Sequence, residues 1–159
     1  MKRKSMDGAT CPVARSLDVI GDWWTLLIVR DAFDGMRRFG EFQRSLDISK
    51  GILSTRLKAL VDAGIFALVA PEDGGAHHDY VLTEKGRALF PVVVGLRQWG
   101  EAHCFEPGES HSVLVEKKTG RAIRPLCLES ASGQPLSDTD TEVRKVDSSA
   151  SRARLARRG

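Results

Sequence analysis

Residues 37–46 and 49–63 each repeat apolar side chains at helical steps, with only Asp47 and Ile48 between them, which confines the stretch to two amphipathic helices meeting at a tight turn. Phe39, Phe42 and Leu46 supply the buried stripe of the first helix; Leu53, Leu57 and Leu60 supply that of the second. Ser49 is placed to cap the second helix, and Gly64, just past Ala63, to stop it. Such a pair is the pattern of a helix-turn-helix.

The face turned away from those leucines carries the functional information. At about 100° per residue, Gly51, Thr55 and Lys58 lie opposite the stripe, with Ile52 and Ser54 on its shoulders. From Ser49 to Lys58 no acidic side chain interrupts this face, so small, hydroxylic and basic groups could enter a major groove without repelling phosphate. Ser49 and Lys50, at the start of the helix, are where such helices meet DNA. Arg56 lies nearer the buried side and is expected to reach a backbone phosphate or a neighbouring carboxylate, not a base. Arg37 and Arg38 add positive charge at the entrance of the first helix.

Charge supports this reading locally and not globally. The formal net charge is only +3. Residues 37–60, however, hold Arg37, Arg38, Arg44, Lys50, Arg56 and Lys58 against Glu41 and Asp47, whereas residues 7–34 hold Asp7, Asp18, Asp22, Asp31 and Asp34 against Arg15 and Arg30. A basic reading head on an acidic scaffold is the footprint of a protein that orients itself on a polyanion.

The flanking segments follow in the order of a winged helix. Pro12 fits the first turn of a helix ending near Ile20, and Gly21-Asp22 breaks it and caps a second helix from Trp23 to Phe33. Trp24, Leu27 and Ile28 are expected to form the buried stripe of that helix, with Trp23 pointing elsewhere. After Ile65, the β-prone run from Phe66 to Ala70 stops at Pro71, the turn Glu72-Asp73-Gly74-Gly75 follows, and His77 to Leu82 returns as a second strand. Thr83 then caps a long helix from Glu84 to about His103, with Leu89, Val92, Val93, Leu96 and Trp99 on one face. Pro91 inside it predicts a kink near Arg87 and Ala88. The fold class is therefore mainly α with small β: a winged helix-turn-helix of order α-α-α-α-β-β-α plus a short C-terminal β-hairpin extension.

Five segments together resemble the HxlR-type winged helix-turn-helix regulators of bacteria: Cys-Pro-Val at residues 11–13, Gly-Asp-Trp-Trp-Thr-Leu-Leu-Ile at 21–28, Arg-Arg-Phe-Gly-Glu-Phe at 37–42, Ile-Ser-Lys-Gly-Ile-Leu-Ser-Thr-Arg-Leu-Lys-Ala-Leu at 48–60, and Tyr-Val-Leu-Thr-Glu-Lys-Gly-Arg-Ala-Leu at 80–89. The resemblance implies a homodimer paired through its first and last helices, a recognition helix at residues 49–63, and a palindromic double-stranded DNA operator, with repression or activation of a nearby gene, a repressor being the expected form. Members often carry arginines in the wing, whereas this tip holds Glu72 and Asp73 and no arginine. If His77 and His78 contact phosphate in their place, binding should tighten below about pH 6.5; the plainer reading is two solvated turn histidines.

Cys11 stands before Pro12 at a helix start, where unpaired N–H groups and the positive dipole end favour a thiolate, with Arg15 one turn away. Several HxlR-type regulators resemble this chain in placing a cysteine there, and some use it to sense oxidants, quinones or aldehydes; a small electrophile or oxidant is thus the expected effector. A half-buried structural cysteine is the alternative. The three cysteines Cys11, Cys104 and Cys127 form no C-x-x-C pair and, with His103 and His111, match no usual zinc spacing, so neither a disulfide framework nor a metal is expected. No cofactor motif is present. With no signal segment or membrane-spanning run, a cytoplasmic location is expected.

Beyond Pro107-Gly108 the character changes. Runs at 112–116 and 122–128 flank Lys118-Thr119-Gly120, and Ser132-Gly133 makes a second turn, suggesting one or two small hairpins with a faint internal echo. The expected organisation is a flexible N-terminus (1–8), a winged-helix domain for DNA binding and dimerisation (9–106), a β-rich extension (107–147) and a disordered basic tail (148–159) holding Arg152, Arg154, Arg157 and Arg158. No catalytic constellation appears, so an enzyme is not expected. The rival is the same fold used as a protein-interaction or RNA-binding adaptor without an operator.

Overall fold

A computed structural model describes residues 5–6, 8–75 and 77–145. Four helices come first: α1 (Pro12–Ile20), α2 (Trp23–Phe33), α3 (Phe39–Leu46) and α4 (Lys50–Asp62). An antiparallel hairpin of β1 (Phe66–Val69) and β2 (Asp79–Leu82) follows, in register Phe66 to Leu82 and Val69 to Asp79. Then come α5 (Glu84–Arg87), α6 (Phe90–His103), a small hairpin of β3 (Leu128–Glu129) and β4 (Pro135–Leu136), and a 3-10 turn at Asp138–Asp140. The structure is thus mainly helical with small hairpins in a winged helix-turn-helix arrangement, as the sequence implies. The basic tail expected at 148–159 lies outside the described residues.

Each early boundary has a local cause. Pro12 opens α1, needing no N–H partner there. Asp22 caps α2, its Oδ1 accepting from Thr25 N at 3.1 Å, and Ser49 Oγ caps α4 by accepting from Ile52 N at 3.4 Å. Between α3 and α4, Asp47 takes a left-handed φ of 47°, which an aspartate tolerates better than most residues, and this reverses the chain while driving Ile48 into the core. Gly64 ends α4 with φ 69°, a value that suits glycine alone at little cost.

The first compact unit runs through to Phe90. Its core gathers Ile28 and Val29 of α2, Phe42 of α3, Leu53, Leu57 and Leu60 of α4, then Ile65 and Phe66. Burying each such side chain contributes about 1.5–3 kcal/mol, so the two halves of the helix-turn-helix are fixed by their leucines and phenylalanines. Phe42, Phe66 and Tyr80 meet in a ring cluster with centroids 6.2–6.5 Å apart, which seats the hairpin on α3. Thr83 joins hairpin to helix: its Oγ1 donates to Gly64 O at 2.6 Å and accepts from Gly86 N at 3.1 Å. A Cβ on Gly86 would lie 2.3 Å from Ile65 O, so this close crossing excludes any side chain.

Two details depart from the sequence expectations. The single long helix is broken, not merely kinked: Ala88 and Leu89 leave the helix, and α6 starts afresh at Phe90 with Pro91 in its first turn. Pro91 lacks the N–H that would pair with the carbonyl one turn back, and its ring crowds that carbonyl, so restarting is cheaper than bending. In α2 the fully buried positions are Thr25, Ile28, Val29 and Asp31, while Trp24 and Leu27 are only half-buried. Thr25 can face inward because its hydroxyl is bonded to Asp22. No burial within the chain was assigned to the apolar face read on α6, and there the buried residue is Val94, with Val92, Leu96 and Trp99 exposed.

The second unit, Pro91–Arg144, is α6 with the extension held against it by polar clasps. Gln98 acts as a surrogate strand: its Nε2 donates to Arg124 O at 3.0 Å and its Oε1 accepts from Leu126 N at 2.8 Å. Arg97 donates to Ser112 O at 2.8 Å and to Glu101 at 3.2 Å. A single bridge, Val115 to Ala122, and the β3–β4 pair are the two hairpins read from the sequence.

Candidate nucleic-acid interface

The helix α4 separates its faces cleanly. Leu53, Leu57 and Leu60 are buried, while Ser49, Lys50, Gly51, Ser54, Thr55 and Lys58 are all exposed. Ser49 is engaged in its cap, and Thr55 Oγ1 donates to Gly51 O at 2.9 Å, which leaves the hydroxyl oxygen of Thr55 able to accept. Lys58 forms an i,i+4 pair with Asp62, a surface contact of little worth that a phosphate can replace. A Cβ built on Gly51 would meet nothing within 4 Å. Glycine in a helix costs up to about 1 kcal/mol relative to alanine, and no neighbour among the described residues requires it.

Arg56 is the exception on this helix. Its Nε lies 3.4 Å from Asp22 Oδ1, the same carboxylate that caps α2. Of the two partners expected for Arg56, the carboxylate is the one present, and the pair ties α4 to the start of α2. Beside it Trp23 is 69 % exposed, its ring against Trp24 with centroids 4.5 Å apart.

Arg37 and Arg38 are exposed at the entrance of α3, but the wing engages both. Arg38 bonds Asp73 through its guanidinium and approaches the buried Asp79 at 3.5 Å. Arg37 stands 3.9 Å from Glu72. The hydrogen bond and charge of Asp73 raise the pKa of the Arg38 guanidinium further, and Arg38, helped by the N–H of Gly75, holds the Asp73 carboxyl below its usual range. Glu41 is lowered as well, by the N–H groups of Arg37 and Arg38 that it accepts at 2.8 and 2.9 Å. The two acids of the wing tip, noted in the sequence as a departure, thus act as internal counterions. Sequence spacing gave no sign of this, because thirty-five residues separate Arg38 from Asp73. His77 and His78 are exposed beside this latch.

Cys11 is exposed at the N-cap of α1 and makes no side-chain capping bond. Arg15 is turned toward the chain before it, its Nε donating to Ala9 O at 2.6 Å. Cys104 and Cys127 are exposed too. Among the described residues no three His, Cys, Asp or Glu side chains gather into a metal-binding group, and no helix is long and apolar enough to cross a membrane.

Comparison with known proteins agrees with this geometry. A family model described as HxlR-like helix-turn-helix matches residues 19–107. The uncharacterized HTH-type transcriptional regulator Rv3095 of Mycobacterium tuberculosis strain H37Rv is 46 % identical over 95 residues, covering 60 % of each chain. This chain therefore spans about 60 % of the length of the mycobacterial relatives it matches. The crystal structure of PA1607, a candidate transcription factor, superposes with a TM-score of 0.86 at 52 % identity, covering 90 % of this chain and all of that one. The redox regulator HypR in its reduced form is 35 % identical with a TM-score of 0.54, covering 59 % of this chain and 94 % of its own.

Proposed function

Because the chain belongs to the HxlR-like helix-turn-helix family, we propose that it is a transcriptional repressor that binds a palindromic operator as a homodimer. The observation that carries this reading is the outward face of α4: Lys50, Gly51, Ser54 and Thr55 are exposed together with no acidic residue among them, on a helix locked from behind by three buried leucines. Such a face can enter a major groove, Lys50 meeting phosphate while Ser54 and Thr55 reach base edges, and Arg37 joining Lys50 once it exchanges its exposed contact with Glu72 for a phosphate. Arg56 contributes by orienting α4 through Asp22.

Dimerisation is supported by exposed apolar residues on two helices. On α6, Val92, Leu96 and Trp99 are 48, 53 and 59 % exposed at successive turns, and on α1 Val13 is 65 % exposed. A second subunit would cover them, since contiguous exposed apolar faces mark interaction sites. The accessible thiol of Cys11 at a helix start, together with the likeness to the redox regulator HypR, supports an oxidant or electrophile as the effector.

Selection of bound sequences from random duplexes, with and without oxidant, tests all three parts. The expected product is a palindrome with half-sites about one helical turn apart, whose recovery falls when the protein is oxidised and does not fall for Cys11→Ser. Failure to enrich any sequence defeats the operator reading and leaves the adaptor alternative; a Cys11→Ser variant that still responds to oxidant removes the sensor.

A further inference from the structure

We propose that the cleft between the start of α3 and the wing is a binding site for a small aromatic carboxylate. The cleft has a volume of about 730 Å³, within the range of small-molecule sites. One side is apolar: Phe39, Leu68, Pro71 and Tyr80 line it, and Leu68 is 49 % exposed, so no described residue covers that surface fully. This wall is preformed. The Tyr80 N–H donates to Arg37 O at 2.8 Å, and its ring rests edge-on against the buried Phe42 and Phe66. A planar ligand would therefore meet a rigid surface and pay little to organise it.

The charge on the lining is decided by which groups are already engaged. Glu41 accepts from two backbone N–H groups, and Asp73 accepts from Arg38 and from Gly75 N at 3.2 Å. Arg38 is held between Asp73 and Asp79. Arg44, His77 and His78 remain, and no ion pair to any of them is formed among the described residues. The Arg44 guanidinium lies over Gly40, 3.5 Å from where a Cβ would stand, an ordinary contact distance. The cleft thus offers an aromatic wall and the planar Arg44 guanidinium, which helps to lower the nearby Glu41 carboxyl but is held by no ion pair among the described residues, and whose fork matches a carboxylate. A bare phosphate would leave the wall unused; a neutral ring would leave Arg44 unused.

The site stands independently of the operator and is tested on the DNA-free protein. Tyr80 is the single tyrosine of the chain, so incorporation of 3-fluorotyrosine places one fluorine resonance on the wall of the cleft. Titration with benzoate should shift that resonance saturably, with a dissociation constant in the millimolar range or below. Benzyl alcohol and inorganic phosphate should each bind at least about tenfold more weakly. Arg44→Gln should weaken benzoate by about tenfold without altering the weaker response to benzyl alcohol, while Leu68→Asn should weaken both aromatic probes. A shift that never saturates, equal binding of benzyl alcohol, or phosphate competing as well as benzoate would each overturn the proposal.

Discussion

Helix α4 and the wing carry charge in opposite ways. On α4 the acidic residue Asp62 sits at the far end and the exposed start, Lys50 to Thr55, has no acid at all. In the wing, Glu72, Asp73 and Asp79 turn back onto Arg37 and Arg38, so the cations that the sequence assigns to DNA are balanced inside the molecule. Positive residues near a polyanion site are thus not equivalent: those at the head of α4 are available, while Arg38 must exchange a bonded carboxylate for any phosphate it meets. The wing here braces α3 more than it reaches outward.

The sharpest way to break this contrast is to place acids on α4. Ser54→Glu together with Thr55→Glu should reduce affinity for the selected operator by about a hundredfold or more, with circular dichroism and thermal midpoint little changed, because both side chains are exposed. Retained binding in a fluorescence anisotropy titration would mean that α4 is not the reading surface. Lys50→Ala should cost about tenfold, equally for all duplexes, and lower the slope of log affinity against log salt by about one.

Gly51→Ala separates folding from binding. With open space at that Cβ position, the variant should be more stable by up to about 1 kcal/mol in chemical denaturation and yet bind operator less tightly. A gain in both would show that no groove approaches this residue. The smallest effect concerns the wing. Asp73→Asn should tighten binding by a few-fold and steepen the salt dependence, since Arg38 loses its counterion; weaker binding would mean that the latch holds the wing in a contacting pose.

The same latch predicts a pH window. The carboxyl of Asp73 is lowered in the folded protein, so its contribution is fully present above the ordinary carboxylate value near 3.9 and is lost as pH falls through the lowered one. Between about pH 5 and 8 the latch itself should produce no change in the salt slope of DNA binding, which the anisotropy titration repeated across that range would check.

Most of the first unit was legible because its signals are local. Pro12, Asp22, Ser49, Gly64 and Thr83 each act within one turn of the chain, and the predicted starts of α1, α2 and α4 coincide with these caps. The break at Ala88 and Leu89 was half legible: Pro91 announced a disturbance, but periodicity alone reads through it and predicts a bend where the chain restarts its helix. The buried face of α2 was misread because periodicity ranks Trp24 above Thr25, whereas a hydroxyl bonded to Asp22 can go inside. Of the candidate site, the exposed face of α4 and a carboxylate as one of the two partners of Arg56 followed from helical geometry alone; that the carboxylate is Asp22, and the engagement of Arg38, did not.

What the sequence determined by itself is the pair of helices, their turn and the side each turns to water, since three- and four-residue spacing and capping chemistry operate between neighbours in the chain. What only the tertiary structure decided is which charges remain available. Asp73 reaches Arg38, Asp22 reaches Arg56 and Gln98 reaches Arg124 and Leu126 across long stretches of sequence. Coulomb attraction and hydrogen bonding depend on distance through space, and that distance exists only once the core has closed.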